Sequence, residues 1–282
     1  MSERFKETIN APVWHGHQPY DEEECIRLER ACEFIGAHAG ELGLNRRYEL
    51  LDVGCGVGPL RRWLAAAEFR ILGLEINPAA AEIARSNYDA CAVCDVEAPW
   101  PVSPAGFDGV HAGAVLEHVL DWHAPLNQAN AALRDGGLLV ISVPNLRYWK
   151  ELRRLLRGRQ PHWLRDMKHV HGYTPGFLCE LVGLHGFEVR RLEADRVNLP
   201  LLPKRGRRIC RRLARWGSVL ILAARQVRRV RVEDHARAEE FPNHRPVGCR
   251  SIEVLPEAAA APGEDEPDVS APQQPPEATG EV

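Results

Sequence analysis

The chain has 282 residues, enough to bury one full-sized α/β core with appendages. With 45% hydrophobic residues, 27% charged residues and a formal net charge of -3, it has an ordinary globular balance that demands neither nucleic acid nor an acidic polymer as partner. No apolar run approaches the roughly 20 residues that span a bilayer, and the charged start MSERFKETINAPVW holds no signal-like apolar core, so a cytoplasmic protein is expected.

Residues 21–44 place Cys25, Leu28, Cys32 and Ile35 at helical spacing behind an acidic first turn, which predicts a helix ahead of the first strand. YELLDV at 48–53 reads as a buried strand that ends in a glycine-rich turn, and 60–67 resumes helical character. Strands are then expected at 70–75, 90–95, 106–111 and 138–143. Helices are expected at 79–88 and 126–133, with Gly136-Gly137 as a turn after the second. A helix at 175–184 closed by Gly186, then strands at 187–193 and 218–224, bring the sheet to seven strands. Such alternation with near-continuous apolar strands predicts a doubly wound, mostly parallel α/β sheet with helices on both faces.

Three segments follow: an N-terminal helical segment at 1–47, the α/β domain at 48–232, and a tail at 233–282 rich in Pro, Ala and Glu. The tail cannot bury enough apolar area to offset chain entropy and is expected to be disordered. The eight cysteines are scattered, and the only CxxC, Cys91 to Cys94, falls in a strand where that spacing sends the thiols to opposite faces. No metal site is read from them.

The segment that carries chemistry is LDVGCGVGPL at 51–60, where Gly54, Gly56 and Gly58 sit between a buried strand and a helix. Glycines there allow backbone angles that a β-carbon forbids and let a nucleotide-like ligand approach, although a tight structural turn uses them too. Glu75 ends the second strand about twenty residues on, where a carboxylate can accept from both ribose hydroxyls, and Asp95 ends the third. A dinucleotide is the main competitor. Its fingerprint wants a third glycine three residues after the second, where this chain has Pro59, and the loop holds no Lys or Arg for a phosphate.

On these residues the chain resembles the class I S-adenosylmethionine-dependent methyltransferases, and most closely the small enzymes that act on sugars, quinones and other small acceptors. LDVGCGVGPL is similar to their first motif, GLEINP (73–78) to the second-strand motif, and FDGVHAGAVLEHVLDW (107–122) to the segment around the fourth strand. LRDGGLLVISVPN (133–145) and HVHGYTPGFLCELVGLHGFEV (169–189) are similar to the later ones. The resemblance implies a Rossmann-like fold and S-adenosyl-L-methionine as cofactor. Asp52, Gly54, Cys55, Gly56 and Gly58 would hold the methionine portion, Glu75 and Ile76 the ribose, and Asp95 with Val96 the adenine. Ala112 and Gly113 would line the methyl-transfer end. Glu75 departs from the commoner Asp.

Methyl transfer to a hydroxyl needs a base, and the candidates are His169, His171 and His118. The insertion at about 146–174 joins Arg147, Tyr148, Trp149, Arg153, Arg154, Arg157, Arg159, His162 and Trp163, a basic and aromatic set suited to a small anionic or ring-containing acceptor. Residues 204–231 hold no acid and space Ile209, Leu213 and Trp216 helically among arginines. An anionic membrane surface is the favoured contact for that stretch. An RNA face, the acidic tail or an ordinary connecting helix stay open, and no nucleic-acid module accompanies it. The expected activity is methyl transfer to a small-molecule hydroxyl of a sugar, lipid-linked or quinone-like substrate. The alternative is a cofactor-binding scaffold without catalysis.

Overall fold

The computed structural model describes residues 22–163, 169–195 and 216–230. Helix α1 (Glu22–Leu42) leads into β1 (Tyr48–Val53), then β2 (Phe69–Glu75), α2 (Pro78–Asn87), β3 (Ala90–Val93) and β4 (Phe107–Gly113). They are followed by α3 (His123–Ala132), β5 (Leu133–Pro144), α4 (Trp149–Leu155), α5 (Pro175–Leu184), β6 (Phe187–Ala194) and β7 (Val219–Gln226). The sheet has seven strands in the order β3-β2-β1-β4-β5-β7-β6. β7 runs antiparallel to β5 and β6, and the remaining pairs are parallel.

Alternation along each strand splits the core into two layers. Leu50, Ile71, Val140 and Ile221 face one layer with Leu28, Cys32 and Ile35 of α1 and Ala81 and Ala84 of α2. Leu51, Val53, Val110 and Ile141 face the other with Leu126 and Ala129 of α3 and Leu178 and Val182 of α5. Helices thus cover both faces, and α1 shares a core with the sheet. Cys91 and Cys94 enter opposite layers, as their spacing requires.

Three local expectations are corrected. The helix expected at 60–67 is one 3-10 turn, Pro59–Arg62. The chain has only a few residues in which to return to the start of β2 beside Tyr48, and the amides of Glu68 and Phe69 turn back on the Ala65 carbonyl to do so. Gly136-Gly137 lies within β5 rather than before it: the pairing with β4 steps from Phe107↔Leu133 to Gly109↔Leu138, and Gly136 takes φ +76°. The extra residues form a bulge. The third strand ends at Val93, two residues short of Asp95: the Cys94 amide makes the last rung to the Glu75 carbonyl at 3.0 Å, and the Ala98 amide then turns back on the Asp95 carbonyl at 2.9 Å.

Of the basic stretch at 204–231, residues 204–215 and 231 lie outside the described residues, as does the tail. Residues 219–226 are β7, interior to the sheet, and offer no membrane face. Among the described residues no helix is long and apolar enough to cross a membrane.

Candidate active site

The strand order reverses between β1 and β4, and a crevice opens there at the carboxyl ends of the strands, where open α/β sheets bind ligands. The glycine loop forms its floor. Gly54, Gly56 and Gly58 take φ of +65°, +55° and +78°, a left-handed path that disfavours any side chain. A β-carbon on Gly54 would stand 2.6 Å from Val115 Cγ2, and one on Gly58 would press Tyr88 at 3.1 Å, whereas the space beside Gly56 is open.

Glu75 ties this loop to the next. Its Oε2 accepts from the Gly56 amide and its Oε1 from the Asn77 amide, both at 2.8 Å. A carboxylate oxygen has a second lone pair, so each can still accept a ribose hydroxyl. Ile76 is exposed beside it. Asp95 Oδ1 accepts from the Glu97 amide at 3.0 Å, and the Val96 carbonyl accepts from Trp100 Nε1 at 2.9 Å, so both hold the turn after β3 in place.

Asp52 stands near the end of β1, two residues before the first glycine of the loop. It is 2% exposed, with Oδ1 2.7 Å from His111 Nδ1 and Oδ2 accepting from Tyr88 Oη at 2.6 Å. Tyr88 in turn accepts from the Leu60 amide at 3.2 Å. Asp52 therefore braces the loop from beneath. Cys55 lies beside Cys91, sulfur to sulfur 3.7 Å, over Gly73, and burial pushes its thiol well up. At the end of β4, Ala112 is buried and Gly113 leaves room for the His111 ring, which a β-carbon there would meet at 2.7 Å.

The loop suits a ligand without phosphates. Arg61, just beyond it, is committed to Asp89 and to the carbonyls of Asn87 and Phe69, and Arg62 lies over Trp63. Neither is aimed into the loop.

Beyond Gly113 the chain makes a turn that carries Glu117 and His118, and the segment with His169 is bonded onto it. The Val170 amide donates to the Glu117 carbonyl at 2.8 Å, and Tyr173 Oη donates to the Leu116 carbonyl at 2.8 Å. The Tyr173 carbonyl accepts from the Leu146 amide just after β5, at 2.8 Å. These bonds bring the His118 and His169 rings to 4.7 Å between centroids. Glu117 is 1% exposed, and its Oε2 has no hydrogen-bond partner among the described residues. Burial pushes its carboxyl up to about 7, against the opposing pull of a backbone hydrogen bond and of Arg27. His169 Nδ1 lies 2.8 Å from the Trp163 carbonyl, which can only accept, so Nδ1 is the donor and the neutral form of the ring has its lone pair on Nε2.

The cluster thus unites two of the three histidines expected to act. His171 points elsewhere, with Nε2 3.2 Å from the Leu120 carbonyl and its ring against Trp122. Sequence reasoning passed over Glu117, although it precedes His118 in LEH, because an acid beside a histidine gives no sign of its burial. Tyr88 was missed too, since its bond to Asp52 crosses from β1 to the end of α2. A cleft of about 910 Å³ between α1 and the starts of β1 and β2, lined by Glu33, Gly40, Arg46 and Trp63, opens at the other edge of the sheet.

The profile of the Methyltransferase domain family matches residues 20–192. The chain belongs to this family, within the class I S-adenosylmethionine-dependent methyltransferase family. It is 30% identical over 142 residues to the Ubiquinone biosynthesis O-methyltransferase of Bradyrhizobium sp. (strain ORS 278), covering 47% of this chain and 53% of that protein. It is 34% identical over 137 residues to the 27-O-demethylrifamycin SV methyltransferase of Amycolatopsis mediterranei (strain S699), covering 44% and 49%. The matches thus span about half the length of these curated relatives. In fold it is similar to a SAM dependent methyltransferase from Archaeoglobus fulgidus, with a TM-score of 0.53 at 16% identity, over 79% of this chain and 98% of that one.

Proposed function

We propose that this protein transfers a methyl group from S-adenosylmethionine to a hydroxyl of a small, ring-containing acceptor. The observation that carries the reading is the Glu117, His118 and His169 cluster, which follows the end of β4, one of the two strands whose carboxyl ends border the crevice. S-adenosylmethionine supplies an electrophilic methyl on a sulfonium. Gly54 to Gly58 and Glu75 would hold it, with Ala112 and Gly113 beside the transferred group. His169 offers a neutral imidazole whose lone pair can accept the hydroxyl proton, while its Nδ1 bond to the Trp163 carbonyl holds the ring. Trp149, at the start of α4, is partly exposed and offers an aromatic face for a ring. An oxygen acceptor agrees with the names of these two curated relatives, one a Ubiquinone biosynthesis O-methyltransferase and the other a 27-O-demethylrifamycin SV methyltransferase. A scaffold without catalysis has no use for such a cluster beside an intact glycine loop.

The test is transfer of labelled methyl from S-adenosylmethionine to a panel of phenols, hydroquinones and sugars. Turnover on at least one hydroxyl class is expected, and His169→Ala should lower it by roughly 10²- to 10⁴-fold while cofactor affinity stays within a small factor. Binding of cofactor with no transfer to any member would favour the scaffold.

A further inference from the structure

Among the described residues, one group combines carboxylate and imidazole ligands within reach of a single ion. One ligand atom each from Glu117, His118 and His169 lies within 4.8 Å of the others. Two independent features point the same way. Among the described residues Glu117 Oε2 is buried without any hydrogen-bond donor, an arrangement that is costly for a carboxylate unless it keeps its proton or a cation neutralises it. His169 has its outer nitrogen tied to a carbonyl, the arrangement by which metal-bound histidines are oriented and their ligating nitrogen kept deprotonated.

We propose that Glu117, His118 and His169 bind a divalent transition-metal cation at the acceptor end of the crevice. Two imidazoles and one carboxylate select Zn²⁺, Fe²⁺, Co²⁺ or Mn²⁺ over Mg²⁺ or Ca²⁺, which prefer all-oxygen sets. Three protein ligands leave a coordination position for an outside oxygen. Ligand atoms around a tetrahedral ion stand about 3.3 Å apart, so the three side chains close inward on binding. His118 and His169 are partly exposed, while Glu117 is held by its burial.

The inference rests on the methyl-transfer reading only for the use of the ion. A hydroxyl bound at the open position would become more acidic and release its proton to water, and the His169 lone pair would then hold the ion instead of receiving the proton. The methyl donor gains no role in this step.

The full chain, stripped with a chelator, is titrated with Co²⁺ alone, with Zn²⁺ as competitor. One Co²⁺ per chain is expected, with visible ligand-field absorption and no intense near-ultraviolet thiolate band. His169→Ala should weaken binding by more than roughly 100-fold, beyond the loss from removing an outer hydrogen bond, and Glu117→Gln should weaken it by at least about 10-fold. Circular dichroism of each variant shows whether it has folded. A missing Co²⁺ spectrum, a thiolate band, or unaltered binding in a folded His118→Ala/His169→Ala variant would overturn the site. Undiminished labelled methyl transfer in chelator, with no ion bound, would remove the ion's use and leave the methyl-transfer reading standing. Ion binding with no transfer to any acceptor would do the reverse.

Discussion

The backbone amide of Gly56 donates to Oε2 of Glu75 at 2.8 Å, so the floor of the cofactor crevice is fastened to the end of the neighbouring strand by a buried carboxylate. Glu75 is thereby a structural acceptor as well as the residue proposed to receive ribose. The longer Glu side chain, in place of the commoner Asp, reaches Gly56 on one oxygen and Asn77 on the other.

Replacing Glu75 separates its charge from its shape. Gln keeps one oxygen but turns an NH₂ toward the amide of Gly56 or Asn77, donor against donor. Glu75→Gln should therefore weaken S-adenosylhomocysteine binding by about 1.5 to 3 kcal/mol, roughly 10- to 100-fold in Kd. Calorimetric titration measures it, and an affinity within twofold of the parent would remove Glu75 from the binding site.

The glycines of the loop should separate by cause. Gly54→Ala forces a methyl to 2.6 Å from Val115 Cγ2 and should lower stability, and trimming Val115 to Ala in the same chain should recover part of the loss. Gly56→Ala meets no atom within 4 Å and carries only the left-handed penalty, of order 1 kcal/mol. Its melting temperature should stay close to the parent's while cofactor affinity falls. Thermal scans with and without S-adenosylhomocysteine separate the two. Equal stability losses at Gly54 and Gly56, or no recovery with Val115→Ala, would contradict the steric account.

How far the sequence could be read follows from which contacts are local. Buried strands and helical spacing placed all seven strands and the helices at 79–88 and 175–184 near their observed positions, and Cys91 and Cys94 on opposite faces, because period and apolar content are properties of neighbours in the chain. The bulge at Gly136-Gly137 was invisible. It arises from the partner strand's register, which no local pattern encodes. The same holds within the site. Glycines and a strand-end acid announce a loop that takes a ligand, but the pairing of Asp52 with Tyr88 and His111 depends on side chains 36 and 59 residues away. An acid's burial at Glu117 depends on a segment more than fifty residues downstream folding over it.

Asp108 offers a pH test away from the crevice. It is buried, which pushes its carboxyl up, but Arg46 at 2.6 and 2.7 Å, the Glu49 amide at 2.9 Å and Arg134 at 2.8 Å more than reverse this and hold it below the ordinary Asp range. A carboxyl lowered by folding adds stability that is present above its unfolded value, near 3.9, and that is lost as pH falls through its folded value. Asp108→Asn should cost about 1 to 3 kcal/mol at neutral pH and remove that part of the acid-side slope. Urea unfolding at pH 7 and in the acid range reads both, and a variant with the parent's slope would show that Asp108 is not a source of it.

The most searching test concerns the brace beneath the glycine loop, where Leu60, Tyr88, Asp52 and His111 are joined in series. All three side chains are buried, so each lost partner leaves a polar atom without water to replace it. Tyr88→Phe removes the donor to Asp52 and the acceptor for the Leu60 amide, and should cost about 1 to 3 kcal/mol. Asp52→Asn keeps one oxygen but presents an NH₂ to either Tyr88 or His111, at a similar cost. Because both changes break the same bond, the double variant should be less destabilised than their sum, by about 0.5 to 3 kcal/mol. Cofactor affinity should fall in each single variant although neither side chain faces the crevice, since Leu60 and the loop before it lose their support. Denaturant unfolding of the four proteins gives the coupling directly. Additivity within about 0.3 to 0.5 kcal/mol would mean that Asp52 and Tyr88 act independently, and unchanged cofactor binding in Tyr88→Phe would show that the loop holds its shape without the brace.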